Sequence, residues 1–174
     1  MQNLSAAKEA CIAAGVSEDD FYEAIKTFDG TSKRLQKLKE NENGVIYLDF
    51  AHSPSKVKAT VDAVVARYPG RDIIACLELH TYSSLSDEFL PQYEGTLINA
   101  TSAFIYFNPH AIALKKLKPI GKETIRKAFA GDNILVFDNS EELFKQIQDQ
   151  KYVNPVFLFM SSGDFDGFDL KTLI

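Results

Sequence analysis

Cysteine is scarce in this chain. Cys11 and Cys76 sit inside the apolar runs Ala10-Cys11-Ile12 and Ala75-Cys76-Leu77, with neither metal-ligand spacing nor a disulfide-rich setting. They read as small buried hydrophobes. No apolar stretch approaches the ~18 residues that suggest a membrane span, and the amino terminus lacks the basic-then-apolar order of a signal peptide. No membrane association is expected, and the cytoplasm is the expected compartment. A long basic tract is also missing. The net charge is −5, and the densest basic cluster, Lys115, Lys116 and Lys118, reads as solvated surface. Nucleic acid is therefore not an expected partner. There is no P-loop, because Gly121-Lys122 is followed by Glu123 and the leading glycine position holds Lys116. A dinucleotide-binding glycine fingerprint, a Gly-x-Ser-x-Gly elbow and a histidine pair at metal-ligand spacing are absent too, so no metal site is expected within this chain.

What is present is an ordinary globular composition, 45% hydrophobic and 25% charged over 174 residues, enough for one core. Leu4, Ala7, Cys11 and Ala14 share one helical face ahead of Gly15, which predicts a first helix over 3–14. Ser17 with Asp20 resembles a capping box for a second, whose apolar face (Phe21, Ala24, Ile25, Phe28) runs to Gly30. Alternation from Leu35, then Asn41-Glu42-Asn43-Gly44, then Val45-Ile46-Tyr47-Leu48, predicts a hairpin. Helices are expected over 54–67, near 86–98, over 121–130 and over 140–150. Strands are expected over 72–78, 102–107, 133–137 and 155–160. The strands are continuous apolar runs, as expected of strands buried on both faces. The fold class is α/β, a Rossmann-like, mostly parallel sheet with helices on both faces. The one boundary lies near Gly30 to Arg34, where two helices give way to the alternation.

In an open parallel sheet, ligands collect beyond the carboxyl ends of the strands. The polar segments there are Asp49 to Ser53, Glu78 to Ser84, Asn108 to His110, Asp138 to Ser140 and Ser161 to Asp166. The first is the richest. Ser53 can cap the following helix with Pro54 in its first turn, offering free N–H groups to an anion, while Asp49 can accept from a ribose diol and His52 can donate to a phosphate or lie against a base. The alternative is that Asp49 and His52 only satisfy local backbone.

Asp49-Phe50-Ala51-His52-Ser53-Pro54 resembles the Asp-aromatic-Ala-His-x-Pro motif that opens the carboxy-terminal domain of Mur ligases. Upstream, Phe28-Asp29-Gly30-Thr31-Ser32-Lys33-Arg34 resembles that family's Phe-x-Gly-x-x-(Arg/His)-Arg segment. Glu78-Leu79-His80-Thr81-Tyr82-Ser83 resembles its Glu-Pro-His-Thr-Tyr-Ser stretch, with Leu79 in place of proline. Met160-Ser161-Ser162-Gly163-Asp164-Phe165-Asp166-Gly167 resembles the Met-Ser-Asn-Gly-Gly-Phe-x-Gly loop of the murein peptide ligase branch, with Asp164 where that branch has glycine.

The resemblance implies one domain of an ATP-dependent ligase that joins L-alanyl-γ-D-glutamyl-meso-diaminopimelate to UDP-N-acetylmuramate. A UDP-N-acetylmuramate–L-alanine ligase is the nearest alternative. By position it implies Arg34 near the γ-phosphate, Asp49 and His52 at the nucleotide, and His80, Thr81, Ser161, Ser162, Gly163 and Asp164 facing the amine substrate. ATP and Mg2+ are the implied cofactors, with the P-loop and the metal ligands in a central domain outside this chain. Because Met1-Gln2-Asn3 resembles the inside of the family's His-Asn-x-x-Asn segment, residues 1–33 are expected to be the end of that central domain and 34–174 the carboxy-terminal domain. A stand-alone Rossmann-like nucleotide-binding or regulatory module, or a flavodoxin-like interaction domain, is the reading from another class.

Overall fold

The computed structural model describes residues 2–28 and 32–174. The chain divides into two compact units, Met1–Thr31 and Ser32–Ile174. In the first, α1 (Gln2–Ala13) ends at Gly15, whose φ of +92° suits glycine. Ser17 then caps α2 (Glu18–Ile25), accepting from the Asp20 amide at 3.1 Å. Lys8 joins Glu18 at 2.9 Å, and Phe21 is the buried residue of α2. The expected stop at Gly30 lies outside the described residues. Cys11 is only half-buried, short of the burial expected of it, whereas Cys76 is fully buried and its thiol pKa is pushed up by that burial.

The second unit is a six-stranded sheet: β1 (Gln36–Asn41), β2 (Gly44–Asp49), β3 (Ile73–Leu79), β4 (Ser102–Phe107), β5 (Ile134–Phe137) and β6 (Val156–Met160). The order is β1-β2-β6-β3-β4-β5, with β1 antiparallel and every other pairing parallel. Glu42 and Asn43 make the two-residue hairpin turn, and Gly44 is needed after it, since a β-carbon there would lie 2.8 Å from the Pro155 carbonyl oxygen. The helices are α3 (Pro54–Arg67), α4 (Pro109–Leu114), α5 (Lys122–Phe129) and α6 (Ser140–Asp149).

Strand alternation sorts the core into two layers. Val45, Tyr47, Ala75, Leu77, Ile105, Leu158 and Met160 face Val57, Val61 and Val64 of α3 and Ile125 and Phe129 of α5. Ile46, Ile74, Cys76, Phe104, Tyr106, Phe157 and Phe159 face Leu143, Phe144 and Ile147 of α6 and the last turns, Phe165 and Leu170. The sheet is thus covered on both sides, as its apolar runs predict. The edge strands are the exceptions: β1 has no buried residue, and Leu135 of β5 is exposed.

Two departures from the sequence reading have local causes. The helix expected near 86–98 is instead a 3₁₀ turn (Leu90–Tyr93) followed by irregular turns. Buried Leu90, Tyr93, Leu97 and Ala100 imitate helical spacing, but Pro91 lacks an amide donor and Gly95 adopts φ +68°. Residues 109–114, where no element is expected from sequence, form α4, because the Asn108 side chain accepts from the His110 and Ala111 amides and Pro109 fits the first turn. His110 is therefore a helix residue.

Candidate functional site at the carboxyl ends of the strands

The chain after β2 leaves toward the α3 layer, whereas the chain after β6 follows the α6 layer, so between these neighbouring strands the connections diverge. Open parallel sheets place their ligand crevice where neighbouring connections diverge, which makes the carboxyl edge between β2 and β6 the candidate crevice. Asp49 ends β2 and Ser161 follows β6, and the Ser161 amide donates to the Asp49 carbonyl at 3.0 Å, extending the ladder by one step.

The Asp49 carboxylate accepts from the Leu35 amide at 2.6 Å, the Ala51 amide at 2.7 Å and, more weakly, the Thr60 hydroxyl at 3.5 Å. Most of its acceptor capacity is thereby used locally. In return it fixes the turn Lys33-Arg34-Leu35, in which Lys33 (φ +55°) and Leu35 (φ +43°) occupy the left-handed region that costs non-glycine residues of order 1–3 kcal/mol. The Lys33 carbonyl accepts from the Phe50 amide at 2.6 Å, and the Lys33 ammonium donates to the Gly163 carbonyl at 3.3 Å. Lys33 is thus a strut across the crevice. Arg34 is exposed and its guanidinium has no partner among the described residues.

His52 donates from Nδ1 to the Phe50 carbonyl at 2.9 Å, which leaves Nε2 as an acceptor, and its ring meets the Phe50 ring edge-on at 5.1 Å. Its own carbonyl accepts from the buried Tyr93 hydroxyl. Ser53 occupies the cap position of α3, but its hydroxyl makes no capping bond.

The tips of β3, β4 and β6 carry a second polar group, which alternation puts on the α6 face. Glu78 is only 3% exposed; its carboxylate accepts from the Ser161 hydroxyl and, at 3.1 Å, from the Phe165 amide. His80 Nδ1 lies 3.6 Å from the other Glu78 oxygen, and its side chain is 42% exposed. The Gly163 amide donates to Ser161 Oγ at 2.6 Å, closing the loop over Glu78. Asp166 (φ +56°) accepts from the Tyr106 hydroxyl and from Asn108 at 2.9 Å. Burial opposes ionisation of Asp166, but the hydrogen bonds from Tyr106, Asn108 and Ser140 outweigh it and hold the carboxyl below the usual carboxylate range. Burial first, then the Asp166 carboxylate, pushes the Tyr106 phenol well above its ordinary pKa.

Among the residues singled out from sequence, Asp49, His52 and Arg34 cluster on the β2 side, and His80 meets the Ser161–Gly163 loop at Glu78. Thr81 is turned to local use: its hydroxyl accepts from the Ser84 amide at 3.1 Å within the 3₁₀ turn Ser83–Leu85. Asp164 is exposed, and Ser162 has a buried hydroxyl oxygen with no hydrogen-bond partner. Glu78, Lys33 and Tyr106 carry the geometry without having been given a role from sequence. The available signal was parity: Glu78 and Tyr106 are paired across β3 and β4, and each follows the apolar residues of its own strand at spacing two. Among the described residues no group of three or more His, Cys, Asp or Glu could hold a metal ion, and no helix is long and apolar enough to cross a membrane.

Residues 33–163 match the family described as Mur ligase, glutamate ligase domain. The chain belongs to the Mur ligases. These are ATP-dependent ligases, and the mostly parallel sheet with helices on both faces is their Rossmann-like carboxy-terminal domain. A UDP-N-acetylmuramate–L-alanine ligase of Limosilactobacillus reuteri is 28% identical over 154 residues, covering 88% of this chain. The chain spans about a third of that relative's length. A crystallised domain of a Haemophilus ducreyi protein, provisionally assigned as a UDP-N-acetylmuramate:L-alanyl-γ-D-glutamyl-meso-diaminopimelate ligase, is 28% identical with a TM-score of 0.58, covering 80% of this chain and 97% of that one. The murein peptide ligase of Psychrobacter arcticus, 21% identical, shares the fold with a TM-score of 0.69 over 98% of this chain and 35% of its own.

Proposed function

We propose that this chain is the carboxy-terminal domain of a ligase that joins a peptide amine, L-alanyl-γ-D-glutamyl-meso-diaminopimelate, to UDP-N-acetylmuramate at the expense of ATP, as in the salvage of cell-wall peptide. The observation that carries this reading is the juxtaposition, across one crevice of a Mur ligase domain, of the Asp49–Arg34 turn and the Ser161–Asp164 loop with His80. In this reading the domain closes over ATP, with Arg34 offsetting charge on the γ-phosphate as a guanidinium fork can, and Asp49 and His52 lying at the nucleotide. Mg2+ accompanies the ATP and is held mainly by residues of a central domain outside this chain. His80, Thr81, Ser161, Ser162, Gly163 and Asp164 face the amine, and the unpartnered Ser162 hydroxyl supports a loop that rearranges around a ligand. The 28% identity to a UDP-N-acetylmuramate–L-alanine ligase supports a second reading, in which the amine is L-alanine.

Kinetics with tripeptide, dipeptide and L-alanine separate the two. The chain alone should neither hydrolyse ATP nor form an amide bond, since much of such catalysis is the orientation of groups held elsewhere. Joined to its central and amino-terminal domains it should prefer the tripeptide. Replacing Ser162 and Asp164 together should then change that ranking while the KM for ATP stays put. ATP turnover by the chain alone, above an Asp49→Ala control, or a ranking led by L-alanine, would contradict the first reading.

A further inference from the structure

Glu78 is a buried carboxylate whose two oxygens meet different neighbours. Ser161 Oγ and the Phe165 amide occupy Oε2, and Oε1 is left facing His80 Nδ1 at 3.6 Å. At 3.6 Å the contact is longer than a hydrogen bond, and it acts electrostatically: a carboxylate beside one imidazole nitrogen favours the tautomer with the proton on that nitrogen. Nδ1 faces the Glu78 carboxylate while 42% of the His80 side chain is exposed.

The space above this contact is closed. A β-carbon at Gly163 would lie 2.7 Å from Glu78 Oε2, 2.9 Å from His80 Nδ1 and 3.0 Å from Glu78 Oε1. Nothing about the Gly163 backbone asks for glycine, since its φ is not in the left-handed region. The requirement is for room. Two hydrogen bonds hold the residue in place: its amide donates to Ser161 Oγ at 2.6 Å, and its carbonyl accepts from Lys33 at 3.3 Å. The neighbouring carboxylate, Asp166, is held by Tyr106 and Asn108 and also acts on His80 through space, but Glu78 is the carboxylate that lies 3.6 Å from Nδ1.

We propose that Glu78 is a positioning residue for His80, that it holds the imidazole as the Nδ1–H tautomer with Nε2 presented as a hydrogen-bond acceptor, and that Gly163 is required because any side chain there would displace the pair. Resting on the reading above, the group that Nε2 accepts from is the N–H of the amine substrate.

Imidazole nitrogen-15 spectra of this chain test the positioning by itself. With His80 neutral, the parent should show protonated Nδ1 and a bare Nε2. Gly163→Ala should shift both His80 resonances toward the Nε2–H form that free imidazole favours, and Glu78→Gln, of equal volume, should do the same if the alanine variant does not fold. An Nε2–H tautomer in the parent, or unchanged His80 resonances in a folded Gly163→Ala chain, would overturn the proposal. In the ligase assembled with its other domains, Gly163→Ala should raise the amine KM about tenfold, the loss of roughly one hydrogen bond's discrimination, with the KM for ATP unchanged. The expected tautomers with an unmoved amine KM would keep Glu78 as the group that orients His80, and would refute the placement of His80 on the amine side.

Discussion

At the residue scale, Arg34 and Asp49 are linked physically, because the carboxylate of one holds the turn that carries the other. Their replacement should nevertheless read out differently in the assembled ligase. On the proposed role, in which its contact with the γ-phosphate strengthens as charge develops there, Arg34→Ala should lower kcat by about 10²-fold or more while moving the KM for ATP little. Asp49→Ala should raise the KM for ATP about tenfold, the scale of one charge-assisted hydrogen bond, and should also lower kcat somewhat by loosening the turn. Steady-state kinetics check both, and two variants with parental constants would sink the assignment at these positions. The places of Asp49, His52 and His80 at the carboxyl edge of the sheet were legible in the sequence, because each lies in the polar segment that follows an apolar run. Lys33 and Glu78 were not. Lys33 acts through a contact 130 positions away in sequence, and Glu78 looks like the first polar residue after a strand until the sheet buries it.

At the element scale, α6 together with the last turns forms one of the two cores, and Phe144 is its hub. Its ring stacks on Phe168 at 3.5 Å and meets Phe159 and Phe165 within 6.3 Å. Phe144→Ala should cost about 3–5 kcal/mol, enough to threaten a domain of ordinary stability, and a urea midpoint measured by circular dichroism checks it. A loss under about 1 kcal/mol would mean that the α6 layer packs more loosely than these contacts imply. The strands were readable, because continuous apolar runs between turn residues leave few alternatives. The segment between β3 and β4 was not, since buried residues three and four apart favour a helix in any sequence reading while Pro91 and Gly95 forbid one in the chain. α4 was obscured for the opposite reason: it is only 6 residues long, and it rests on Asn108 and Pro109 more than on periodicity.

At the scale of the whole molecule, the phenols that burial pushes up, Tyr47, Tyr93, Tyr106 and Tyr152, set an alkaline limit. Burial pushes Tyr93 up to about 12, and burial followed by the Tyr68 hydrogen bond pushes Tyr47 to about 12. Unfolded tyrosine ionises near 10. The folded pKa values are the higher ones, so this stability is complete below pH ~10 and declines between pH ~10 and ~12 as the unfolded chain ionises first. Denaturant midpoints across that range should fall, and should fall less steeply in Tyr93→Phe; an identical slope would remove Tyr93 from the account. The strand order has a consequence in time as well as in space. β6, the last strand to be synthesised, lies between β2 and β3, and its partners in β2 precede it by more than a hundred residues. Until those final residues leave the ribosome, β2 and β3 each keep an open apolar edge, and such edges invite pairing with other chains. Translation therefore delivers the keystone of this domain last, and a nascent chain stopped before residue 156 leaves both of those edges open.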